Sequence, residues 1–331
     1  MISIQRFAAP IVLLVFVLAG FACSPKINVF PDYTEPLKEV VLEGGGDSKI
    51  LVVPVTGVLD ARPNRGLFWN SPSAVEEIVA MLDKAGRDPD IKAVILQIDT
   101  PGGSVTASDI LYQEIERYKA KSGAKVVALM MDLAASGGYY VAVASDRIVA
   151  HPTTVTGSIG VVFFAANIEG LFDKIGVEAE AIKSGEHKDM ASPFRELTDE
   201  ERAILQAMIN EMFDRFVAAV MQGRPMLTEE RIRRLADGRI YTAKQAMEWK
   251  LIDRIGYTKD AISEAKYLAN LKEDASIITY RRRIVADDNI YNTTVSRASG
   301  KTPLVDLGLS RFTFVPTTGF YYIWEPGLNT P

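Results

Sequence analysis

The sequence predicts an α/β domain with largely parallel strands and helices packed outside them, and three observations carry that prediction. From Lys49 onward, short β-branched runs that end at turn residues alternate with amphipathic stretches of helical length. Glycine-containing turns recur where those runs end. Hydrophobic content of 48% and charged content of 24% are ordinary for a globular chain, and 331 residues suffice for one large core or two modest ones.

Residues 1–22 read as a membrane-targeting segment. Arg6 is followed by 16 uncharged, mostly apolar residues, Phe7 to Ala22. A spanning helix takes roughly 20 apolar residues, so this run suits a secretory signal better than an anchor. Cys23, the sole cysteine, closes the run after LAGFA. Its placement resembles the lipobox of bacterial lipoproteins, in which the cysteine carries lipid after cleavage. Gly20 and Phe21 stand where leucine and a small residue are commoner. The alternatives are an uncleaved anchor and a buried thiol. A signal or an anchor puts the body of the protein on the outer side of a membrane, in the cell envelope. Residues 23–48, with their prolines and EGGGDS, read as a flexible tether.

The α/β body is expected over residues 49–270. KILVVPVTGVL, KAVILQIDT, KVVALMMDL and RIVAHP are the strand candidates, and SAVEEIVAMLDKAGRD and SVTASDILYQEIERYKA the helices between them. In ELTDEERAILQAMINEMFDRFVAAVMQGR, Thr198 and Glu201 form a capping box. Leu205, Met208, Ile209, Met212, Phe213, Phe216 and Val220 follow at helical spacing, which predicts core packing, with a subunit contact as the alternative. After Asn270 the pattern degrades, and residues 271–331 read as an extension. Its aromatic cluster, Phe320, Tyr321, Tyr322 and Trp324, can pack on the core, touch lipid or line a cleft, in that order of preference.

Composition excludes several functions. A net charge of −5, with no basic stripe interleaved with aromatics, gives no case for nucleic acid. Two histidines, one cysteine and no H-E-x-x-H or C-x-x-C supply no metal site, and no cofactor is expected.

The turns DTPGGSV, AASGGYY, TGSIGV and KSGEHKD fall at predicted strand ends, where α/β folds gather their ligand sites. Acyl transfer needs a nucleophile, a base and backbone N–H donors facing an oxyanion. Ser136 of AASGGYY is the candidate nucleophile, and the glycines of PGG and SGG let backbone amides approach a substrate. It does not lie in a G-x-S-x-G elbow, because Ala134 takes the first glycine's place. The base is left open by spacing between His187 and Lys188, with His151 a weaker candidate. A lysine can serve only where desolvation lowers its pKa from about 10.4.

DTPGGSVTASDILYQEI, AASGGYYVAVASDRIVAHPTTVTGSIGV, IKSGEHKDMASPFRELTDEE and DGRIYTAKQAMEWKLIDRIG, in that order, resemble the signal peptide peptidase A family in its short, single-repeat form. The resemblance runs from about Leu51 to Tyr257. It implies a fold like the Clp protease and crotonase superfamily, a superhelix of β-β-α units, and a serine endopeptidase with a Ser–Lys dyad. Carried over residue by residue, Ser136 is the nucleophile, Lys188 the general base, Gly103 and Gly137 the oxyanion donors, and Ser158 the residue that orients the lysine. Lys183 is then a flanking surface residue. The resemblance further implies peptide substrates, chiefly cleaved signal peptides and other extended or misfolded chains, and a homo-oligomeric ring whose sites join Ser136 of one protomer to Lys188 of the next. The competing readings are a non-catalytic scaffold of the same fold and a crotonase-like acyl-CoA enzyme, the latter disfavoured by the export signal.

Overall fold

The computed structural model describes residues 35–65, 70–282, 289, 291 and 318–324. The expected targeting segment, residues 1–22, and Cys23 lie outside the described residues. Among the described residues no helix is long and apolar enough to cross a membrane.

In chain order the first half comprises β1 (Lys38–Glu43), β2 (Gly46–Thr56), the short pair β3 (Asn64–Arg65) and β4 (Asn70–Ser71), and α1 (Ala74–Ala85). Then come β5 (Ile91–Thr100), β6 (Gly102–Ser104), α2 (Val105–Ser122), β7 (Lys125–Ala135), α3 (Gly137–Ala142), β8 (Arg147–Ala150), β9 (Val155–Gly157) and β10 (Val162–Phe164). The second half comprises α4 (Glu169–Ile175), a 3₁₀ turn over Glu186–Asp189, α5 (Asp199–Gly223), α6 (Glu229–Leu235), β11 (Ile240–Thr242), α7 (Ala243–Glu248), β12 (Arg254–Ile255), α8 (Thr258–Leu268), β13 (Ala275–Arg281) and β14 (Gly319–Ile323).

The α/β prediction holds, with a mixed sheet. Its main order is β1-β13-β2-β5-β7-β8-β12, parallel except for the antiparallel edge strand β1. Because strands alternate their side chains, Leu51, Val53 and Val55 face one way and Ile50 and Val52 the other. The first set joins the core under α1, α2, α3 and α5, and the second joins a smaller core closed by Ala261, Ile262 and Ala265 of α8. A central sheet covered on both faces explains why its strands read as continuous apolar runs. Ser73 and Thr198 open α1 and α5 with reciprocal capping boxes, through Glu76 and Glu201.

Two expected boundaries need correction. The expected tether, 23–48, contains β1 and the start of β2, and the expected extension, 271–331, contains β13, the strand between them in the sheet. β1 escaped a strand reading because it is a charged edge, with Lys38, Glu39 and Val41 exposed. β13 is buried along its whole length, yet its partners Val40 and Ile50 are more than two hundred residues away in sequence. Pairing so remote leaves no local mark.

Candidate active site

The chain makes its turns at the ends of β5, β7 and β9, and the site is built there. Ser136 joins β7 to α3 with φ 53° and ψ −114°. An L-residue held in that region costs about 1–3 kcal/mol, so the surroundings must fix it. They do so through its own backbone: its N–H donates to the Gly157 carbonyl at 2.7 Å, and its carbonyl accepts the Tyr140 N–H at 2.9 Å. The parallel register of β7 on β9 pairs Ala135 with Gly157, which brings Ser158 next to Ser136. Ser158 also has a positive φ, 49°, and its N–H donates to the Arg239 carbonyl at 2.7 Å.

The PGG turn packs against this junction. Leu59 N–H donates to the Gly102 carbonyl (2.8 Å), and Ser104 N–H donates to the Leu59 carbonyl (2.9 Å). The alternation of a strand therefore turns the N–H and carbonyl of Gly103 to the opposite side. Neither glycine tolerates a side chain. A Cβ on Gly103 would overlap the Leu59 carbonyl, and one on Gly102, whose φ is 103°, would lie 2.7 Å from Gly137 N. The expected donors Gly103 and Gly137 are thus brought to one place, against the expected nucleophile.

A strand occupies the space in front of them. β14 runs antiparallel between β10 and β6, pairing Tyr321 with Ser104, Tyr322 with Gly103 and Ile323 with Gly102. It helps to cover Ser136, which is 1% exposed, and the buried Ser136 Oγ has no hydrogen-bond partner. Of the three placements weighed for the terminal aromatics, this one combines packing on the core with lining the cleft.

The structure does not join Lys188 to Ser136 within one chain. Lys188 lies exposed on the 3₁₀ turn, and Ser136 Oγ takes no hydrogen bond from it. The other candidate bases are engaged elsewhere. His151 pairs with Thr153 Oγ1 (2.8 Å) and sets its ring edge-on to Tyr257, while His187 Nε2 lies 3.6 Å from Glu200. Lys183 is held by Asp189 at 2.7 Å, in keeping with a flanking role.

Arg195 and Asp189, which the sequence reading missed, anchor the turn that carries Lys188. Arg195 donates to Asp189, beside Lys188, and to Glu201 in the first turn of α5. The Arg195 guanidinium, followed by the Lys183 ammonium, holds the Asp189 carboxyl well below the usual range. Glu201 is lowered to about 2, by Arg195 first and then by the Thr198 N–H. The R-E-L-T-D-E-E run held the signal, because an arginine six residues before a capping glutamate can reach it. Asp99 takes a hydrogen bond from the Leu133 N–H at 3.2 Å and so ties β5 to β7 below the site. Burial raises its pKa against that bond. Among the described residues no cluster could hold a metal ion.

A serine on a strained strand-to-helix turn, two glycine amides beside it, and a slot that holds an extended strand define a site suited to acyl transfer on a polypeptide. Comparison with known proteins agrees. The profile of peptidase family S49 matches residues 118–272. A candidate signal peptide peptidase, SppA, of Enterococcus faecium is 36% identical over 254 residues, covering 77% of this chain and 73% of that one. A candidate protease of Synechocystis is 43% identical over 55% of this chain and 65% of its own length. Protease 4 of Haemophilus influenzae is 33% identical over 82% of this chain but only 44% of its own length. Among solved structures, a ClpP1 mutant of Listeria monocytogenes aligns with 64% of this chain and 94% of its own at TM-score 0.42 and 15% identity. The chain belongs to peptidase family S49 and is a serine protease of the SppA kind.

Proposed function

We propose that this protease is an endopeptidase of the cell envelope that cleaves extended polypeptides, cleaved signal peptides among them, with Ser136 as nucleophile and Lys188 as general base. The observation that carries the reading is the slot between β6 and β10, in which an extended strand runs past Ser136 and the Gly103 and Gly137 amides. A peptide bound there presents successive carbonyls to β6, and one of them meets Ser136. Lys188 takes the Oγ proton as Oγ adds to the carbonyl carbon, and the two amides receive the oxyanion. The proton passes to the leaving amine. Water then cleaves the ester, the lysine again holding the proton, and Ser136 is regenerated.

Because Lys188 is exposed and apart from Ser136 in a single chain, the reading takes the lysine from a neighbouring protomer in a head-to-tail ring. A membrane attachment through residues 1–22 or a lipidated Cys23 completes the proposal, supported by the apolar run that ends at that cysteine. A fluorophosphonate probe tests the nucleophile: it should label the wild type and not Ser136→Ala. Labelling that persists in the variant overturns the assignment. Intact mass of membrane-extracted protein tests the attachment, and a chain that keeps residues 1–22 without added acyl groups removes the lipid.

A further inference from the structure

Thr100 ends β5 directly before the PGG turn, and it is fully buried. Its hydroxyl has partners on two different loops. Oγ1 accepts the Gly102 N–H at 3.0 Å and donates to the Gly57 carbonyl at 2.5 Å. The Gly102 carbonyl, 3.3 Å from the same oxygen, is the more distant acceptor, so the one hydroxyl proton goes to Gly57. The methyl group serves a third place. A Cβ on Gly138 would lie 2.7 Å from Thr100 Cγ2, so the methyl packs against the first turn of α3, beside Gly137.

These contacts fix the peptide plane that carries one of the proposed oxyanion donors. A trans peptide is planar, and its C=O and N–H are directed oppositely. The plane between Gly102 and Gly103 is held at its carbonyl by the Leu59 N–H, at 2.8 Å, which directs the Gly103 N–H away from Leu59 and into the slot. Thr100 secures both sides of that bond. It holds Gly102 directly, in a backbone conformation (φ 103°) that suits glycine. It holds the Leu59 loop through Gly57, whose N–H also donates to the Asp99 carbonyl at 3.2 Å. Gly57, Gly102 and Gly103 bring no side chains with which to lock these loops, and the Thr100 hydroxyl takes that part.

Resting on the proposed reading of Ser136, we infer that Thr100 is the positioning residue of the oxyanion site: its hydroxyl aims the Gly103 amide, and its methyl seats the turn that carries the Gly137 amide. Such donors stabilise a transition state only when they are in place before charge develops, at about 2.7–3.1 Å from where the oxyanion will stand. Thr100 acts through the backbone, on both donors from one buried point. Losing its hydroxyl frees the Gly102 N–H and the Gly57 carbonyl, and the Gly103 plane is then held by Leu59 alone. The donor strays while an extended peptide, bound along the strand edges, keeps its other contacts. The loss therefore falls on the chemical step and not on binding.

Three full-length variants test the inference, on an extended peptide substrate and on a peptide aldehyde of the same sequence. Thr100→Val keeps the shape and a methyl but can neither accept the Gly102 N–H nor donate to Gly57, whereas Thr100→Ser keeps the hydroxyl. Thr100→Val should lower kcat and kcat/KM together by about thirtyfold, with KM within about twofold of wild type. It should weaken the aldehyde by a similar factor, because Ser136 Oγ adds to the aldehyde carbon and leaves the former carbonyl oxygen at the same amides. Peptide binding in the Ser136→Ala background, read by fluorescence polarisation, should not move. Thr100→Ser should recover to within about threefold of wild type, and Thr100→Ala should resemble Thr100→Val. Near-normal turnover in Thr100→Val overturns the inference and leaves the reading of Ser136 standing. So does a loss as large in Thr100→Ser, or one matched by weaker peptide binding, since either marks packing alone. If Thr100→Val does not fold, the comparison is read on Thr100→Ala, and failure of both to fold makes Thr100 a structural residue and overturns its positioning role. A wild type that neither cleaves peptides nor takes a fluorophosphonate overturns the reading of Ser136 and this inference with it.

Discussion

Ser136 and Lys188 sit in regions of opposite character. Every residue from Ala134 to Ser145 is buried, and the turn at Ser136 is pinned from β9 and from α3. From Gly160 to Glu200 not one residue is buried. Leu171, Ile175, Val177 and Phe194 show large apolar surfaces there, and Ile182 is 99% exposed. The geometry of Ser136 is thus written into the core of a single chain. That of Lys188 is not, because it lies in a segment whose apolar surface is left uncovered.

The largest effects break the site on either side of this divide. Ser136→Ala and Lys188→Ala should each lower peptidase activity by about a thousandfold or more, with melting temperature unchanged for Lys188→Ala. Coexpressing the two variants then separates a shared site from a private one. In mixed rings a site works when a serine-bearing chain precedes a lysine-bearing one, two independent even choices, so about a quarter of sites recover. No activity above the single variants in isolated mixed rings refutes sharing and leaves both residues in place.

Matched glycine substitutions sharpen the comparison through stability. Gly103→Ala drives a Cβ into the Leu59 carbonyl, backbone that cannot swing away, and should cost about 3 kcal/mol or more in thermal or denaturant unfolding. Gly185→Ala, three residues before Lys188, meets nothing within 4 Å at an extended φ of −159° and should fall within about 0.5 kcal/mol of wild type. Equal losses in the two variants would erase the distinction between a built half and an uncovered one.

The same divide separates what could be read from the sequence. Strands β2, β5, β7 and β8, helices α1, α2 and α5, and the turn at Ser136 were legible because each leaves a local pattern: a β-branched run, a capping box, small residues at a strand end. The pairing of Gly103 with Tyr322 and of Val40 with Thr279 was not, since it depends on segments more than two hundred residues apart. Nor could spacing distinguish Lys188 from His187, and the clamp of Arg195 on Asp189 beside them emerges only once the turn is folded.

A smaller effect follows from that clamp. Arg195→Ala removes the bonds that fix Asp189 and leaves the buried Glu201 carboxylate without its guanidinium, so activity should fall about tenfold and the melting temperature modestly. Arg195→Lys should rescue poorly, since an ammonium cannot hold two carboxylates with a planar fork. A large drop in melting temperature for Arg195→Ala would show that the segment belongs to the core's cooperative unit.

The mildest prediction concerns acid. Asp189 and Glu201 have pKa values lowered in the folded chain from ordinary values of 3.8 and 4.5, Glu201 to about 2. Groups lowered in this way stabilise the fold in full above their unfolded pKa and lose that contribution as pH falls toward the folded value. As pH falls from about 4.5 toward 2, the unfolded chain takes up protons that the folded carboxylates resist, the contribution of the Arg195 ion pairs drains away, Glu201 begins to protonate, and the turn carrying Lys188 should loosen before the strands around Ser136 do. Amide exchange quenched across that range reads the two regions separately. Protection at Lys188 and Met190, whose N–H groups bond to Gly185 and His187, should fall first, while that of Ser136 and Tyr140 persists. In Arg195→Ala the early loss should begin nearer pH 4, because the carboxylates no longer resist protonation. Loss of protection at Ser136 and Lys188 together, at one pH, would mean that the two halves of the site are a single structural unit.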